Sequence, residues 1–310
     1  GADLTTANFI TPTGATGAFA EWPTGDTGWD LTTDNLPTLK GFKAAQSVAG
    51  TTRVSKTLIL SIASADDLGI FRTVVAGGET YEEKTVTLTG DITVEKWEKG
   101  IGVDNKPFLG TFDGAGHIIT LTGKTSLFTT LGEDGEEKGT VQNLGVKVKI
   151  EATDDVDGIG GIANTNYGTI KQCYTTGEIS GDWVGGIVVQ NHNRIQDCYS
   201  TVSVKANSGA GGIAQNNFSE DAVIERCFVT GAISGGNDAT GGIAGVNNGS
   251  ITKCIALNKS IEVSEASSDL GRIIGSNDGD KAILADNFAS PLIPGEWSSK
   301  EGDDLDGADL

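Results

Sequence analysis

Histidine is the residue type that most often moves protons in enzymes, and this chain has only two, His117 and His192. His117 follows the turn sequence 113–116, so an Asp113–His117 pair is one candidate for acid–base chemistry. An aspartate in such a turn is also typical of a side chain that accepts hydrogen bonds from backbone N–H groups, and we favour this interpretation. His192 follows Asn191 in a predicted turn, where we expect it to face solvent. The sequence therefore assigns no catalytic residue.

Two acidic turns resemble fragments of a calcium-binding loop. One contains Asp155 and Asp157, and the other contains Asp304 and Asp306, each pair followed by a glycine. A complete loop has further oxygen ligands and a terminal glutamate, which neither segment supplies. Solvated acidic turns are the favoured interpretation, so no metal and no cofactor is assigned. A calcium-dependent adhesive or spacer module stays an alternative.

Charge and motif both disfavour the binding of phosphate groups. The chain has 22 Lys and Arg against 42 Asp and Glu, a formal net charge of −20. Nucleic acids and anionic lipid headgroups are bound by clustered basic residues, so we expect no nucleic-acid partner. Residues 123–125 end like a phosphate loop, but Ile118 stands where that motif needs glycine.

Four cysteines, Cys173, Cys198, Cys227 and Cys254, lie 25, 29 and 27 residues apart. This spacing is too wide for the paired C-x-x-C ligands of a zinc site and too regular for an arbitrary disulfide framework. The cysteines therefore indicate a repeat. Stacked cysteines could form disulfides between neighbouring units, but buried free thiols are the favoured interpretation.

The cysteines belong to a longer repeat. A segment similar to Gly-Gly-Ile-Ala recurs five times, beginning at residues 160, 185, 211, 241 and, in degenerate form, 271. Six residues after the first glycine, each copy has an asparagine: Asn166, Asn191, Asn217, Asn247 and Asn277. Units of this length cannot bury a core alone, so they must stack on one another.

Short strands separated by Gly, Asn and Asp turns predict an all-β fold, in which each repeat forms one coil of a parallel β-helix. Equivalent positions in neighbouring coils would lie about 4.8 Å apart, which lets the asparagine amides form a hydrogen-bonded ladder. Which residues around the cysteine face inward stays open. If Ile170 faces inward, strict alternation places Tyr174 inward and Cys173 outward, whereas a bend at Gln172 would reverse this.

The pattern along the chain predicts how it is organised. A serine N-cap, two acidic residues and apolar positions spaced on one face predict a capping helix over residues 64–78. Residues 85–94, 107–123 and 140–150 are predicted strands of early, irregular coils. The predicted parts are a strand-and-loop segment at 1–45, a β-helix at 46–290 with regular repeats from about 160, and an acidic tail at 291–310.

The two ends of the chain resemble each other, since the sequence Gly-Ala-Asp-Leu at residues 1–4 recurs at residues 307–310. This recurrence, together with the lack of methionine, predicts a piece of a longer protein with tandem repeats. No apolar run approaches the ~20 residues that span a bilayer, so we expect no transmembrane segment.

The unit Gly-Gly-Ile-Ala-x-x-Asn-x-Gly-x-Ile-x-x-Cys-Tyr, clearest at residues 160–174 and 241–254, resembles the GLUG repeat of bacterial surface and secreted proteins. Residues 88–92 and 108–119 are similar to the segment preceding such repeats, so the resemblance covers roughly residues 58–290. It implies a right-handed parallel β-helix outside the cell, in a family associated with cell adhesion. One branch accompanies an immunoglobulin A-cleaving metallopeptidase. The sequence lacks a His-Glu-x-x-His zinc motif, so protease activity is not carried over.

Three functions are compatible with this pattern. The favoured one is a non-enzymatic surface rod that binds a host or bacterial glycan or protein. A polysaccharide lyase or hydrolase is the main alternative, and it would need carboxylates, or an acid and an arginine, converging on adjacent coils. The calcium-dependent module is the third. The charged residues of the repeats are interpreted as scattered, which favours the first function: Lys171, Arg194, Asp197, Glu225, Arg226 and Lys253.

Overall fold

The computed structural model describes residues 58–297, apart from 104, 153–157, 265–268, 280–281 and 296, and five two-residue strands outside that range. Contacts divide the chain into two units, Gly1–Thr57 and Leu58–Leu310. The first unit has two antiparallel strand pairs, Trp29–Asp30 with Thr38–Leu39 and Ser47–Val48 with Thr51–Thr52. Most of the predicted segment 1–45 and tail 291–310 lies outside the described residues.

The second unit is a parallel β-solenoid of about seven turns, which confirms the predicted fold class. Its coils run in order through four parallel sheets, here called A, B, C and D. Sheet A has nine strands: Ser61–Ile62, Thr85–Leu88, Thr111–Asp113, Thr140–Gln142, Thr169–Lys171, Arg194–Gln196, Val223–Glu225, Ser250–Thr252 and Ile283–Ala285.

Sheet B is the largest. Its strands are Ile92–Trp97, Ile118–Gly123, Gly145–Glu151, Tyr174–Gly181, Tyr199–Ser200, Ser203–Ala206, Phe228–Val229, Ile233–Gly235, Ile255–Ala256, Ile261–Val263, Phe288–Ala289 and Asp303–Asp304. The long strand Tyr174–Gly181 pairs with two short strands of the next coil, because residues 201–202 interrupt the ladder there.

Sheets C and D complete each coil. Sheet C contains Gly158–Gly160, Trp183–Gly185, Ala210–Gly211, Thr240–Gly241 and Leu270–Gly271. Sheet D contains Phe128–Leu131, Ala163–Asn166, Val188–Asn191, Ala214–Asn217, Ala244–Asn247 and Ile274–Asn277. Every pairing within the two sheets is parallel, so equivalent residues of the repeats lie side by side.

The asparagine ladder runs along sheet D as predicted. Each Nδ2 donates to the Oδ1 of the next coil, from Asn166 to Asn191, Asn217, Asn247 and Asn277, at 2.8, 2.8, 2.8 and 2.9 Å. The first four asparagines are fully buried. Since a buried amide without partners costs about 1–3 kcal/mol, the ladder is what makes asparagine tolerable inside the solenoid.

A residue in the left-handed conformation at the corner between sheets A and B determines which side chains face inward. Gln172 has φ of 53°, so Ile170 and Cys173 both point inward and Tyr174 points outward. The same conformation recurs in six coils, with φ between 51° and 56°, at Asn143, Gln172, Asp197, Arg226, Lys253 and Asp286. Strict alternation therefore fails at one residue per coil.

The core is a column of aliphatic side chains with cysteines at its edge. The central isoleucines of sheet A, such as Ile170 and Ile195, are fully buried, and each such side chain contributes about 1.5–3 kcal/mol. All four cysteines are free thiols and at most 1% exposed, as favoured from the sequence. In the last repeat Asn287 takes the cysteine position, where its Oδ1 accepts a 2.9 Å hydrogen bond from the Cys254 N–H.

The helix Ala65–Ala76 covers the first coil and agrees with the prediction over 64–78. Ser64 is its N-cap, and its Oγ accepts a 3.2 Å hydrogen bond from the Asp67 N–H. On the inner face Phe71 contacts the rings of Tyr81 and Phe108 at 5.0 and 5.4 Å between centroids. The helix thus closes the end of the hydrophobic core. Within the described part of the chain, no helix is long and apolar enough to cross a membrane.

Candidate functional site

The Asp113–His117 candidate does not form a catalytic pair. The Asp113 carboxylate accepts hydrogen bonds from a backbone N–H of its own turn at 2.8 Å, and from Gln142 and Asn143 at 2.9 and 3.1 Å. Burial opposes its ionisation, but these hydrogen bonds outweigh burial and hold the pKa of Asp113 below its ordinary value. His117 instead approaches Asp91, with Nδ1 3.3 Å from Oδ1. Asp113 is therefore a turn cap, as favoured.

His192 lies between two aromatic rings, so the expectation that it faces solvent is wrong. Its ring centroid is 4.4 Å from that of Tyr167 and 4.6 Å from that of Phe218, and it is only partly exposed. Its Nδ1 lies 3.1 Å from Ser219 Oγ. Burial lowers the pKa of His192, because desolvation disfavours the charged imidazolium. The residue is part of a corner stack.

The predicted acidic turns give no cation site that can be described. Asp155, Asp157 and Asp306 lie outside the described residues, and of Asp304 only the backbone strand is described. Elsewhere in the part of the chain that the structure covers, no three His, Cys, Asp or Glu side chains come close enough to hold a metal ion.

The charged side chains on the outside of sheet A are not scattered, which corrects the interpretation from the sequence. Arg226 forms a two-pronged ion pair with Asp197, at 2.6 and 3.0 Å, and also reaches Glu225 at 3.0 Å. Arg194 approaches the other oxygen of Glu225 at 3.2 Å. The hydrogen bonds from Arg226 lower the pKa of Asp197. Register brings these groups together, since residues 194–196 pair with 223–225 on the next coil.

This acid–arginine cluster is suited to stabilising neighbouring coils rather than to catalysis. Each carboxylate already receives a guanidinium, and the hydrogen bonds from Arg226 hold the pKa of Asp197 below its ordinary value. A general acid or base needs the opposite, a group whose pKa lies near the working pH. The side chains involved are 22–44% exposed, so the ion pairs are partly screened by solvent.

A row of aromatic rings covers the start of sheet B from outside. Tyr174 and Tyr199 stack at 5.0 Å with 4° between ring planes, and Tyr199 and Phe228 at 4.8 Å with 8°. Rings that stack in this way cover one another's faces and leave mainly edges exposed. The row therefore stabilises the coil stack and offers little aromatic surface to a ligand.

A groove of about 630 Å³ runs across sheets C and D, and it is the candidate ligand site. Its walls are dominated by neutral polar side chains facing outward, with one tryptophan and two aspartates. The lining residues are Gly158, Asn164, Thr165, Trp183, Val189, Gln190, Gln215, Asn216, Asp238, Val246, Asn248 and Asp278. The row Thr165, Gln190, Asn216 and Val246 comes from four successive coils in register.

Two amides in the groove have hydrogen-bonding capacity that the protein does not use. Gln215 is 4% exposed, and within the described residues its side-chain amide has no hydrogen-bond partner. The Oδ1 of neighbouring Asn216 is buried and likewise unpaired among those residues. Buried polar atoms are nearly always paired in folded proteins, so the buried Asn216 Oδ1 is an exception in this groove, whereas the Gln215 amide atoms still reach solvent.

Trp183 lines the same groove, and its ring has different neighbours from the stacked rings of sheet B. Its ladder partner in the preceding coil is Gly158, and in the next coil Gly209 lies beside it, one residue before Ala210, the partner of Val184. A Cβ at Gly209 would lie 2.9 Å from the Trp183 ring and 3.0 Å from Gln215 Nε2. The Trp183 ring and the Gln215 amide therefore both lie against Gly209. Neither Gly158 nor Gly209 supplies a side chain that could stack on the Trp183 ring.

The two aspartates of the groove make local hydrogen bonds. Asp238 Oδ1 accepts a 2.7 Å hydrogen bond from the N–H of Ala239, and Asp278 accepts one from Ser276 Oγ. None of the described lining residues is a lysine or an arginine. These residues can accept and donate hydrogen bonds to an uncharged ligand, and they offer no cation to an anionic one.

Sequence reasoning did not find this groove, because its residues carry no catalytic or metal-binding motif. A signal was nevertheless present, since the residue before each ladder asparagine is polar in four of five copies: Thr165, Gln190, Asn216 and Ser276. A lone tryptophan, Trp183, between glycines in the ladder was the second signal. Neither could be read before the register was known.

No protein-family model matches the sequence, and no curated protein matches it. Among solved structures the chain is similar to a Bacteroides ovatus protein provisionally named an immunoglobulin A1 protease, with a TM-score of 0.65 and 24% identity over 80% of this chain and 84% of that one. It is also similar to a chain named IgA1 protease, with a TM-score of 0.56 and 16% identity over 84% of this chain. This chain spans 23% of that second protein. At these identities the likeness establishes the shared fold, a parallel β-solenoid.

Proposed function

We propose that this chain is a non-enzymatic interaction module of an extracellular bacterial protein, which holds its ligand in the groove across sheets C and D. The observation that carries the proposal is the buried, unpaired Oδ1 of Asn216 in an open groove, beside a Gln215 amide that has no hydrogen-bond partner among the described residues. Leaving a buried amide unpaired costs about 1–3 kcal/mol, and a ligand that hydrogen-bonds to it removes that cost. The groove is thus organised for a bound state.

The charge arrangement supports binding over catalysis. Asp197 and Glu225 on sheet A are neutralised by Arg226 and Arg194. In the groove, Asp238 and Asp278 each accept a local hydrogen bond and lie on different coils. A polysaccharide hydrolase would use two carboxylates in different protonation states flanking the scissile bond. The groove is instead dominated by amides, which orient a ligand without transferring protons.

The solved structures of similar fold suggest how such a module is used. Both carry the name immunoglobulin A1 protease, and the solenoid corresponds to 23% of the second. We infer that the solenoid serves as an accessory rod in proteins of this kind, separate from any catalytic domain. The GLUG-like repeats 160–174 and 241–254 support the same setting, a bacterial cell surface or secreted protein.

One experiment separates binding from catalysis. The chain is incubated with a panel of polysaccharides and host glycoproteins, and the size of each polymer is followed by chromatography beside pull-down of the protein. We expect at least one polymer to co-elute with the protein at unchanged length. Shortening of any polymer would refute the non-enzymatic function, and failure of every panel member to bind would refute a ligand-binding groove.

A further inference from the structure

We propose that the groove across sheets C and D recognises a neutral polysaccharide chain, lying along the solenoid axis with a sugar ring against Trp183. This inference rests on the proposed function and names its ligand class. Three properties of the groove support this ligand class: the type of its hydrogen-bonding groups, the packing of its tryptophan, and its charge.

The first property is that the groove is lined by groups that both donate and accept. Gln190, Gln215 and Asn216 present amides, and Thr165 presents a hydroxyl. Sugar hydroxyls also donate and accept at once, so adjacent hydroxyls can satisfy both the NH2 and the C=O of one amide. Gln215 and Asn216 both line the groove, so hydroxyls of one glycan can bond to the buried, unpaired Asn216 Oδ1 and to the Gln215 amide.

The second property is the open aromatic ring. A sugar ring has an apolar C–H surface that packs against an aromatic face, and the faces between Tyr174, Tyr199 and Phe228 are covered by one another. The Trp183 ring packs over Gly209 on one side, is partly exposed, and has no side chain at Gly158 in the preceding coil to stack on it. Within the described residues its indole N–H also has no hydrogen-bond partner, so the ring offers both an apolar face and a donor.

The third property is the sign of the charge. Among the described residues that line the groove, Asp238 and Asp278 are the only ionisable ones. Uronic-acid, sialylated and sulfated glycans would bring carboxylates or sulfates toward them without any cation to compensate. The net charge of the chain, −20, adds a long-range repulsion. Neutral glycans avoid both, and their hydroxyls can donate to the aspartate oxygens.

The shape of the groove indicates an extended chain rather than a single sugar. The outward row Thr165, Gln190, Asn216 and Val246 comes from four coils. With about 4.8 Å between hydrogen-bonded strands, this row extends over about 14 Å along the solenoid. Contacts are therefore available to several consecutive sugar units of one chain.

The test measures binding of defined oligosaccharides by isothermal titration calorimetry. Neutral glucan, mannan, xylan and galactan oligomers are compared with oligogalacturonate, alginate and hyaluronan oligomers of similar length. Trp183→Ala removes the ring, and Gln215→Leu replaces the amide with an apolar group of similar size. Matched controls outside the groove are Tyr199→Ala, which truncates a stacked ring, and Gln196→Leu, which replaces an outer glutamine of sheet A.

We expect at least one neutral oligomer to bind and the anionic oligomers to bind at least about 10-fold more weakly. Trp183→Ala should weaken neutral-glycan binding at least about 10-fold, and Gln215→Leu about 2- to 10-fold, with both controls within about 2-fold of the parent. Gln215→Leu should not lower the thermal midpoint of the ligand-free protein, because the Gln215 amide makes no hydrogen bond to another described residue. A merely structural Gln215 would give a lower midpoint.

Three outcomes would overturn the inference. Tighter binding of an anionic oligomer would exclude a neutral ligand, and unchanged affinity in folded Trp183→Ala and Gln215→Leu proteins would place the glycan outside the groove. Binding of a protein alone, lost in Trp183→Ala, would overturn the glycan inference and leave the proposed binding module intact. Failure of all glycans and proteins to bind would refute both.

Discussion

The asparagine ladder gives the sharpest test of how the solenoid is held together. Asn217 is the middle member, is fully buried, accepts a hydrogen bond from Asn191 and donates one to Asn247, both at 2.8 Å. We expect Asn217→Ala to destabilise the protein more than the loss of a typical surface side chain. The change removes both hydrogen bonds and leaves the Asn247 Oδ1 without its donor.

The magnitude follows from these three losses. Each hydrogen bond contributes about 1 kcal/mol net, and the buried, unpaired Oδ1 of Asn247 adds about 1–3 kcal/mol. The Nδ2 of Asn191 keeps carbonyl acceptors at 3.2 and 3.3 Å and so adds little. The free energy of unfolding should therefore fall by about 3–5 kcal/mol.

Asn277→Ala is the matched control, because Asn277 is exposed, ends the ladder and only accepts a hydrogen bond there. We expect it to cost at most about 1 kcal/mol. Urea unfolding of both variants, followed by circular dichroism, compares the two losses. Equal losses in Asn217→Ala and Asn277→Ala would show that the ladder contributes nothing beyond its individual side chains, and the reasoning would be wrong.

Three further predictions concern the corners and the core. The ladder cysteines should resist a soluble thiol reagent at about pH 8 and all react in denaturant, because all four are at most 1% exposed; mass spectrometry counts the labels. Gln172→Gly should raise the free energy of unfolding by about 0.5–1 kcal/mol in urea titrations, because glycine adopts φ of 53° without strain. The adjacent strand control Lys171→Gly should lower it by a similar amount. At pH values between about 5 and 7, Arg226→Ala should have a lower Tm than the parent protein. Because the Asp197 carboxylate has a depressed pKa and stabilises the fold only while ionised, this difference should shrink in melts below about pH 4.

The parts of the fold that depend on identical residues in successive repeats could be predicted from the sequence. Asn166 to Asn277 recur at one position, and only stacking in register brings such amides together, so both the coil and the ladder followed. The inward or outward direction of the residues around each cysteine could not be predicted in the same way. It depends on a left-handed conformation at Gln172, a residue type with no special preference for that region.

The candidate site could not be predicted because it consists of differences between repeats. Trp183 has no ring stacked on it because glycines lie beside it in the coils on both sides, and Asn216 is notable only because its buried Oδ1 lacks a partner among the described residues. Similarly, Arg226 and Asp197 are 29 residues apart in the chain and meet only through the register of sheet A. Such relations appear once the coil lengths are fixed in three dimensions.

The asparagine ladder also has a direction. Every amide donates toward the C-terminal coil and accepts from the N-terminal side, so the amide dipoles add along the column and strengthen one another. The column begins at Asn166, because the preceding coil has Leu131 at the equivalent position. The amide hydrogen bonds therefore join only the five regular repeats to one another. The coils between the helix Ala65–Ala76 and residue 160 are joined by their backbone ladders and their apolar core, without a polar column inside them.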